Sequence, residues 1–167
     1  AMMHAIGAQN ACPNRQVISL SGDGGFTMMM GEMLTLKQLN LPVKIFVFNN
    51  EELSFIAMEM KASGYLDYAT DFVNPDFGKL AEAAGIKGVS IQNSSEVDEK
   101  IMEALNHNGP VIVNVHVDKQ ELAMPPKIAY QQAKGFSKYL INAILDGRGT
   151  ELKEMAKTNW MKYKSLY

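Results

Sequence analysis

The sequence predicts an α/β fold, with helices on both faces of an open, mostly parallel sheet. Short apolar segments rich in β-branched residues alternate with helical patterns of about a dozen residues, which is typical of parallel sheets. A hydrophobic content of 47% with 20% charged residues indicates a globular chain. A length of 167 residues is enough for one buried core with an appendage.

Four strands are predicted from apolar runs of strand length. The second run begins after Pro42 and ends at Asn49 and Asn50, and each of the others is bounded by polar or turn-forming residues. The four predicted strands are 17–20, 43–48, 88–92 and 110–117.

Helical patterns separate these strands. Asp76 is a plausible N-cap for a helix that Gly85 would end. Another helix is predicted over 95–107, and residues 1–11 have the composition of a helix with no capping residue before it. After the first strand, apolar residues recur at helical spacing and predict one continuous helix with a core-facing stripe: Phe26, Met29, Met30, Met33 and Leu34.

The C-terminal part of the chain differs from the rest in charge. Residues 134–167 carry seven Lys or Arg against three Asp or Glu, whereas the preceding 133 residues carry nine basic and fifteen acidic side chains. The segment MPPKI at 124–128 is the predicted boundary. We therefore expect a domain at 1–128 and a helical, basic, amphipathic tail at 129–167.

Several classes of protein are disfavoured. No run of 18 apolar residues occurs, so no membrane-spanning helix is predicted, and no secretory signal opens the chain. A single cysteine, Cys12, cannot form an internal disulfide, which fits a reducing cytoplasm. We expect no nucleic-acid partner.

The segment SGDGGF at 21–26 lies where the first strand ends and a helix begins. A strand-to-helix turn directs free backbone N–H groups towards an anion, and glycines let the backbone approach a phosphate closely. The pattern is not GxGxxG, because Thr27 stands at the third glycine position. Asp23 would repel a phosphate unless a cation lay between them, so the segment predicts a site for Mg²⁺ and a diphosphate.

A second oxygen ligand is available at the end of the next strand. Asn50 supplies a neutral amide oxygen, and the carboxyl ends of adjacent parallel strands are where α/β proteins bind ligands. Two simpler interpretations remain: Asp23 caps the helix, and Asn49-Asn50 is an ordinary loop.

The sequences GDGG at 22–25 and NN at 49–50 resemble the signature of enzymes that bind thiamine diphosphate. The likeness continues through LPVKIFVFNN, FIAMEMKASGYL, ELAMPPKI, QAKGFSKYL and GRGTELKEMAKTNW. Over essentially its whole length, the chain resembles the C-terminal part of bacterial pyruvate oxidases of the quinone-reducing type.

This resemblance implies roles for particular residues. Asp23 and Asn50 would bind Mg²⁺ through their side chains and Glu52 through its carbonyl, while Leu53 and Ser54 would also contact the cofactor. Phe55 would approach a flavin, and Ile56 and Glu59 would line the substrate pocket. The residues expected to shape the diphosphate loop are Gly22, Gly24, Gly25 and Phe26.

Other interpretations of these assignments stay open. Periodicity alone favours Phe55 and Ile56 as core residues and Glu59 as a solvated helix residue. Glycine is common in the family before the phenylalanine, so the Cβ of Ser54 could restrict the placement of Phe55.

For the whole enzyme, the resemblance implies oxidative decarboxylation of pyruvate to acetate and CO₂ with thiamine diphosphate, Mg²⁺ and FAD. Electrons would pass to membrane ubiquinone. The enzyme would be a homodimer or homotetramer, cytoplasmic and peripheral on the inner face of the cell membrane. The FAD and pyrimidine-binding domains would lie outside this chain, so we expect no turnover from the chain alone.

The tail would bind an anionic phospholipid surface through one face of a helix, whose members are Leu152, Met155, Ala156, Trp160 and Tyr163. The alternative for this segment is a terminal helix that packs on its own protein. For the chain, the alternatives are an acetolactate synthase-like decarboxylase or ligase, and a non-catalytic membrane-binding module.

Overall fold

The computed structural model of the chain describes residues 1–119 and 129–165, with side chains up to residue 160. The chain divides into two compact units. The first unit comprises Ala1–Glu51 and Val73–Val117, and the second comprises Glu52–Phe72 and Asp118–Tyr167. The predicted boundary at 128 lies outside the described residues, so the division at that point stays a prediction.

The first unit is built on a four-stranded parallel sheet, which confirms the predicted fold class. The strands are β1 (Ile18–Gly22), β2 (Lys44–Asn49), β3 (Lys87–Ile91) and β4 (Val111–His116). Their order across the sheet is β1-β2-β4-β3, and every pairing is parallel. Each strand begins within one or two residues of its predicted position.

Helices cover both faces of this sheet. On one face, Ile45, Val47 and Ile112 pack into a buried cluster with Leu36 and Ala81 from two helices. On the other face, a second cluster of buried residues contains Phe46, Val111, Val113 and Ala104. The apolar strands therefore owe their position to burial on both sides.

The helices of the first unit are α1 (Met2–Ala11), α2 (Asp23–Thr27), α3 (Met33–Leu39), α5 (Phe77–Ala83) and α6 (Val97–Asn106), while α4 (Ser54–Ala62) belongs to the second unit. The predicted helix at 95–107 begins later than expected, because Ser94–Glu96 form a 3₁₀ turn. Asp76 is the N-cap of α5, as predicted, and Gly85 follows its C-cap with a φ of 72°.

The prediction of one continuous helix after the first strand is wrong. Met29 leaves the helical region at φ −130° and ψ 24°, and the chain resumes as a 3₁₀ turn, Met30–Glu32, before α3. Because the break shifts the helical phase, Phe26 and Met33 are buried whereas Met29 and Leu34 are exposed. Leu36, outside the predicted stripe, is fully buried instead.

Hydrogen bonds explain why Asp76 caps α5 so firmly. Its Oδ1 accepts from the backbone N–H groups of Gly78 at 2.9 Å and Lys79 at 3.2 Å, and from Ser90 Oγ at 2.5 Å. Partial burial opposes the charge, but these bonds outweigh it and lower the pKa of Asp76. The cap thereby joins the start of α5 to β3.

The described residues of the second unit form three helices, α4 (Ser54–Ala62), α7 (Tyr130–Leu145) and α8 (Gly149–Ser165). Tyr139 and Ala143 of α7 form a buried cluster with Met155 of α8, and Leu152 packs against it. Ala156 and Trp160 are exposed, so the predicted apolar face of the tail is divided between packing and solvent. No helix among the described residues is long and apolar enough to cross a membrane.

Candidate functional site

Asp23 is buried where β1 ends, and its carboxylate joins three parts of the first unit. Asp23 is only 3% exposed. Oδ1 accepts from the Gly24 N–H at 2.8 Å, while Oδ2 accepts from the Glu51 N–H and from Asn74 Nδ2, each at 2.8 Å. The N-cap of α2 is Gly22, and Asp23 is the first residue of the helix rather than its cap. Helix capping alone therefore does not account for Asp23.

The loop after β2 lies beside Asp23 because β1 and β2 are neighbouring parallel strands, with Gly22 paired to Phe48. Glu51 adopts a left-handed conformation, with φ at 58°, where its N–H donates to Asp23. Such a conformation is uncommon for a residue other than glycine and is often found at functional sites. Asn50, the predicted ligand, is partly exposed and immediately precedes Glu51.

A chain of asparagine side chains extends from Asp23 into the sheet. Asn74 Nδ2 also donates to Asn49 Oδ1 at 3.0 Å, and Asn49 Nδ2 donates to Asn114 Oδ1 at 3.1 Å. Both are buried: Asn49 is the last residue of β2, and Asn114 lies within β4. Sequence reasoning named Asn49 only as part of the NN pair and gave Asn74 and Asn114 no role. The one signal for Asn114 was its polar side chain inside the apolar run VIVNVHV.

Two glycines of the segment 21–26, Gly22 and Gly25, border open space. A Cβ added to Gly22 or Gly25 would meet no heavy atom of the described chain within 4 Å. Gly22 has φ −73°, a conformation open to any residue, so neither packing nor backbone strain explains glycine there. A glycine there leaves the backbone open to close approach by a phosphate group. Phe26 lies in the core instead, with its ring centroid 5.2 Å from that of Phe77.

The donor set of the first unit fits a hard divalent cation. An ionised carboxylate has about four acceptor positions, and Asp23 uses three, two of them on Oδ2. Oδ1 thus retains a free lone pair for a cation. Carboxylate and amide oxygens are the ligands Mg²⁺ uses. The described residues contain no cluster of three His, Cys, Asp or Glu side chains suited to a metal.

The remaining predicted cofactor contacts lie in the second unit. Glu52 is buried and pairs with Asp71 in an isolated antiparallel bridge, and the Leu53 N–H donates to the Thr70 carbonyl at 2.8 Å. Burial raises the pKa of the Glu52 carboxyl, and the nearby Lys61 and Lys119 oppose this shift.

Ser54 begins α4, and its hydroxyl donates to the Glu52 carbonyl oxygen at 3.4 Å. The serine side chain thus engages the carbonyl that the resemblance assigns to the cation.

Phe55, Ile56 and Glu59 lie on the exposed face of α4, so the interpretation of the first two as core residues is wrong. Phe55 is 71% exposed and Ile56 48%, whereas Ala57 is buried. The inward face of α4 packs on α7, where a Cβ at Gly135 would lie 1.9 Å from the Ala62 carbonyl oxygen. The contacts of Phe55, Ile56 and Glu59 with substrate and flavin stay predictions.

The chain belongs to the thiamine pyrophosphate enzymes. Residues 1–115 match the family described as "Thiamine pyrophosphate enzyme, C-terminal TPP binding domain". The matched range contains β1, β2 and β3, β4 as far as Val115, Asp23 and the three linked asparagines.

Individual relatives agree with this family. The chain is 37% identical over 154 residues to "Putative thiamine pyrophosphate-containing protein YdaP" of Bacillus subtilis (strain 168), covering 92% of this chain and 27% of that protein. It is 40% identical over 122 residues to the mitochondrial acetolactate synthase catalytic subunit of Saccharomyces cerevisiae, covering 72% and 18%. It is also 36% identical over 123 residues to acetolactate synthase isozyme 2 large subunit of Escherichia coli (strain K12), covering 72% of this chain and 22% of that protein.

The chain thus spans about a quarter or less of these relatives, at 27%, 18% and 22% of their lengths. They comprise acetolactate synthases and a protein named only for the cofactor. The class they share with this chain is that of thiamine diphosphate-dependent enzymes, which is coarser than the resemblance to pyruvate oxidases.

Proposed function

We propose that the first unit anchors the diphosphate end of thiamine diphosphate through Mg²⁺, with Asp23 and Asn50 as side-chain ligands. One observation carries this proposal: the buried Asp23 carboxylate is held by three donors and keeps a lone pair on Oδ1. Gly22 and Gly25 leave room beside the backbone for a phosphate group. The Glu52 carbonyl remains the predicted third protein ligand.

Once bound, the cofactor supplies an electron sink for breaking the bond next to the carbonyl of a 2-oxo acid. The part of this chain is binding and orientation. Asp23 and Asn50 fix the charged end of the cofactor. The exposed face of α4 presents Phe55, Ile56 and Glu59. We assign Phe55 to contact with the flavin, and Ile56 and Glu59 to the lining of the substrate pocket.

Replacing Asp23 by Asn should abolish this site. Mn²⁺, a spectroscopic substitute for Mg²⁺, is titrated into the chain with and without thiamine diphosphate, and free Mn²⁺ is followed by electron paramagnetic resonance. We expect the cofactor to strengthen Mn²⁺ binding to the unsubstituted chain. Asp23→Asn should weaken binding more than about 100-fold, since loss of an outer-sphere partner alone costs about 10–100-fold.

Asp98→Asn is the matched control, because Asp98 is an exposed carboxylate in the first turn of α6. It should bind Mn²⁺ like the unsubstituted chain. Equal affinity in the Asp23→Asn and Asp98→Asn variants would rule out Asp23 as a ligand. Absence of cofactor-dependent binding would reject the site and favour the non-catalytic alternative.

For the reaction, we propose oxidative decarboxylation of pyruvate to acetate and CO₂, with FAD from another domain and ubiquinone as acceptor. The resemblance of QAKGFSKYL and GRGTELKEMAKTNW to the quinone-reducing pyruvate oxidases supports it. These segments form much of α7 and α8, which lie beyond the family match at 1–115. The acetolactate synthases named above match 72% of the chain, whereas YdaP matches 92%. Acetolactate synthesis is the second candidate, favoured by the names of several relatives.

With pyruvate and a quinone, the whole enzyme should release acetate; acetolactate would indicate the second candidate. The isolated chain should do neither.

We also propose that the second unit binds an anionic membrane surface on the inner face of the cell membrane. Although Met155 is buried, α7 and α8 expose large apolar side chains: Ile141, Ile144, Leu145 and Trp160. Lys153 and Lys157 are exposed on α8. An amphipathic surface with exposed lysines and a tryptophan suits binding at a bilayer interface.

Neutralising two exposed lysines should test this role. Each Lys near an anionic bilayer contributes about 1 kcal/mol, so Lys153→Gln with Lys157→Gln should lower partitioning onto phosphatidylserine-containing vesicles about 30-fold. Lys79→Gln, an exposed lysine of the first unit, should change it little. Co-sedimentation measures both. Equal partitioning of the double variant and the unsubstituted chain would contradict the lipid role.

A further inference from the structure

Asn74 occupies a short segment that precedes α5, and it provides both of its amide hydrogens to buried acceptors. One N–H bond from Nδ2 reaches Asp23 Oδ2 at 2.8 Å and the other reaches Asn49 Oδ1 at 3.0 Å. The segment is anchored two residues later by Asp76, whose side chain caps α5 and bonds to Ser90. Asn74 is therefore fixed in position by a neighbouring element of its own unit.

The direction of each hydrogen bond is fixed along the asparagine chain. An amide has donors only on nitrogen and acceptors only on oxygen. Asn49 Nδ2 donates to Asn114 Oδ1 at 3.1 Å, which turns Asn49 Oδ1 towards Asn74. The Asp23 carboxylate can only accept, so Asn74 turns Nδ2 towards it, and the same nitrogen donates to Asn49 Oδ1. Asn114 comes from β4 and joins this series of hydrogen bonds to the sheet.

This arrangement determines which oxygen of Asp23 remains available. Oδ2 receives two donors, the Glu51 N–H and Asn74 Nδ2, whereas from the described residues Oδ1 receives only the Gly24 N–H. Rotating the carboxylate would break the pair on Oδ2 inside the protein, where an unpaired polar group is costly. Oδ1 is thus held as the oxygen with spare acceptor capacity.

We infer that Asn74 is a positioning residue for the cation site: it holds the Asp23 carboxylate so that Oδ1 is presented to a divalent cation, and it ties that carboxylate to Asn49. The inference rests on the proposed function, in which Asp23 is a ligand. It also divides the roles of the two consecutive asparagines. Asn49 orients the site from within, and Asn50 provides the ligand.

The effect of Asn74 should appear in cation affinity when the fold is intact. Asn74→Ala removes both donors, and Asn74→Leu removes them while keeping most of the side-chain volume. Asn93→Ala is the matched control, because Asn93 is an exposed asparagine of the same unit that bonds Glu96 at 3.4 Å. Mn²⁺ affinity is measured by electron paramagnetic resonance in the presence of thiamine diphosphate, and cation-free thermal unfolding is measured in parallel.

We expect both Asn74 variants to bind Mn²⁺ about 10–100-fold more weakly, as with other outer-sphere partners of metal ligands, and Asn93→Ala to bind normally. A purely structural role would lower the unfolding temperature of the cation-free chain and leave the Mn²⁺ affinity of the folded protein unchanged. That result would overturn the inference.

The remaining outcomes also decide the matter. Unchanged affinity in the Asn74 variants, with binding lost in Asp23→Asn, would reject the positioning role and leave the proposed function standing. No cofactor-dependent Mn²⁺ binding by the unsubstituted chain would reject both. If neither Asn74 variant folds, Asn74 belongs to the fold rather than to the cation site, and the inference fails.

Discussion

Gly88→Ala should lower the free energy of unfolding by about 3 kcal/mol, at the upper end of the usual cost of overpacking. A Cβ at Gly88 would lie 2.0 Å from the carbonyl oxygen of Gly78 and 2.6 Å from its carbonyl carbon. Gly88 belongs to β3 and Gly78 to α5. The added Cβ would therefore clash with backbone atoms of α5, and no side-chain rotation can relieve the clash. Urea unfolding followed by circular dichroism measures the loss.

Gly7→Ala is the control for this substitution, with the opposite expected sign. Gly7 lies inside α1, and a Cβ there would meet no described atom within 4 Å. Alanine in an open helix interior should stabilise the chain by about 0.5–1 kcal/mol, because it restricts the unfolded backbone. If Gly88→Ala were as stable as Gly7→Ala, the close approach of α5 to β3 would be incorrect.

Lys61→Met should destabilise the second unit by about 3 kcal/mol, the lower end of the cost of breaking a buried ion pair. The Lys61 ammonium is nearly inaccessible and lies 3.3 Å from Glu151, 3.9 Å from Asp67 and 5.7 Å from the centroid of the Tyr139 ring. Without it, two carboxylates lose a cation. The loss is moderated because Arg148 still bonds Asp67 at 2.9 Å. Amide hydrogen exchange in α4, α7 and α8 should increase.

Lys87→Met tests whether burial of the ion pair causes the loss of stability expected for Lys61→Met. Lys87 and Glu103 form a pair at 2.7 Å, but their side chains are 37% and 46% exposed. Such pairs contribute about 0.2–1 kcal/mol, so this variant should unfold at nearly the same urea concentration as the unsubstituted chain. Comparable losses in Lys61→Met and Lys87→Met would contradict the burial argument.

The sheet was predictable because each strand is an apolar run bounded by turn-forming residues, and burial on both faces leaves little freedom in its position. The α5 cap was equally local, since Asp76 and Gly85 carry their signals in the sequence. The broken helix after Gly25 was not predictable. Its interruption depends on the backbone of Met29, whereas the spacing of Phe26, Met29 and Met33 fits an unbroken helix just as well.

The candidate site was only partly predictable for a related reason. Asp23 and Asn50 stand at strand ends, so the order of elements brings their loops together. Asn74 lies 51 residues from Asp23, and its hydrogen bonds depend on tertiary structure that no local pattern encodes. The exposure of Phe55 and Ile56 likewise follows from which face of α4 meets α7. Helical spacing alone could not choose that face.

Anomalous diffraction from crystals of the chain grown with Mn²⁺ and thiamine diphosphate tests the central claim most directly. We predict one manganese peak beside Asp23 Oδ1 and the Asn50 side-chain oxygen, at about 2.0–2.2 Å, close to the spacing of hard divalent cations from oxygen ligands. The cofactor's phosphates should complete its coordination. A cofactor-bound crystal whose manganese lies away from both side chains would contradict the account.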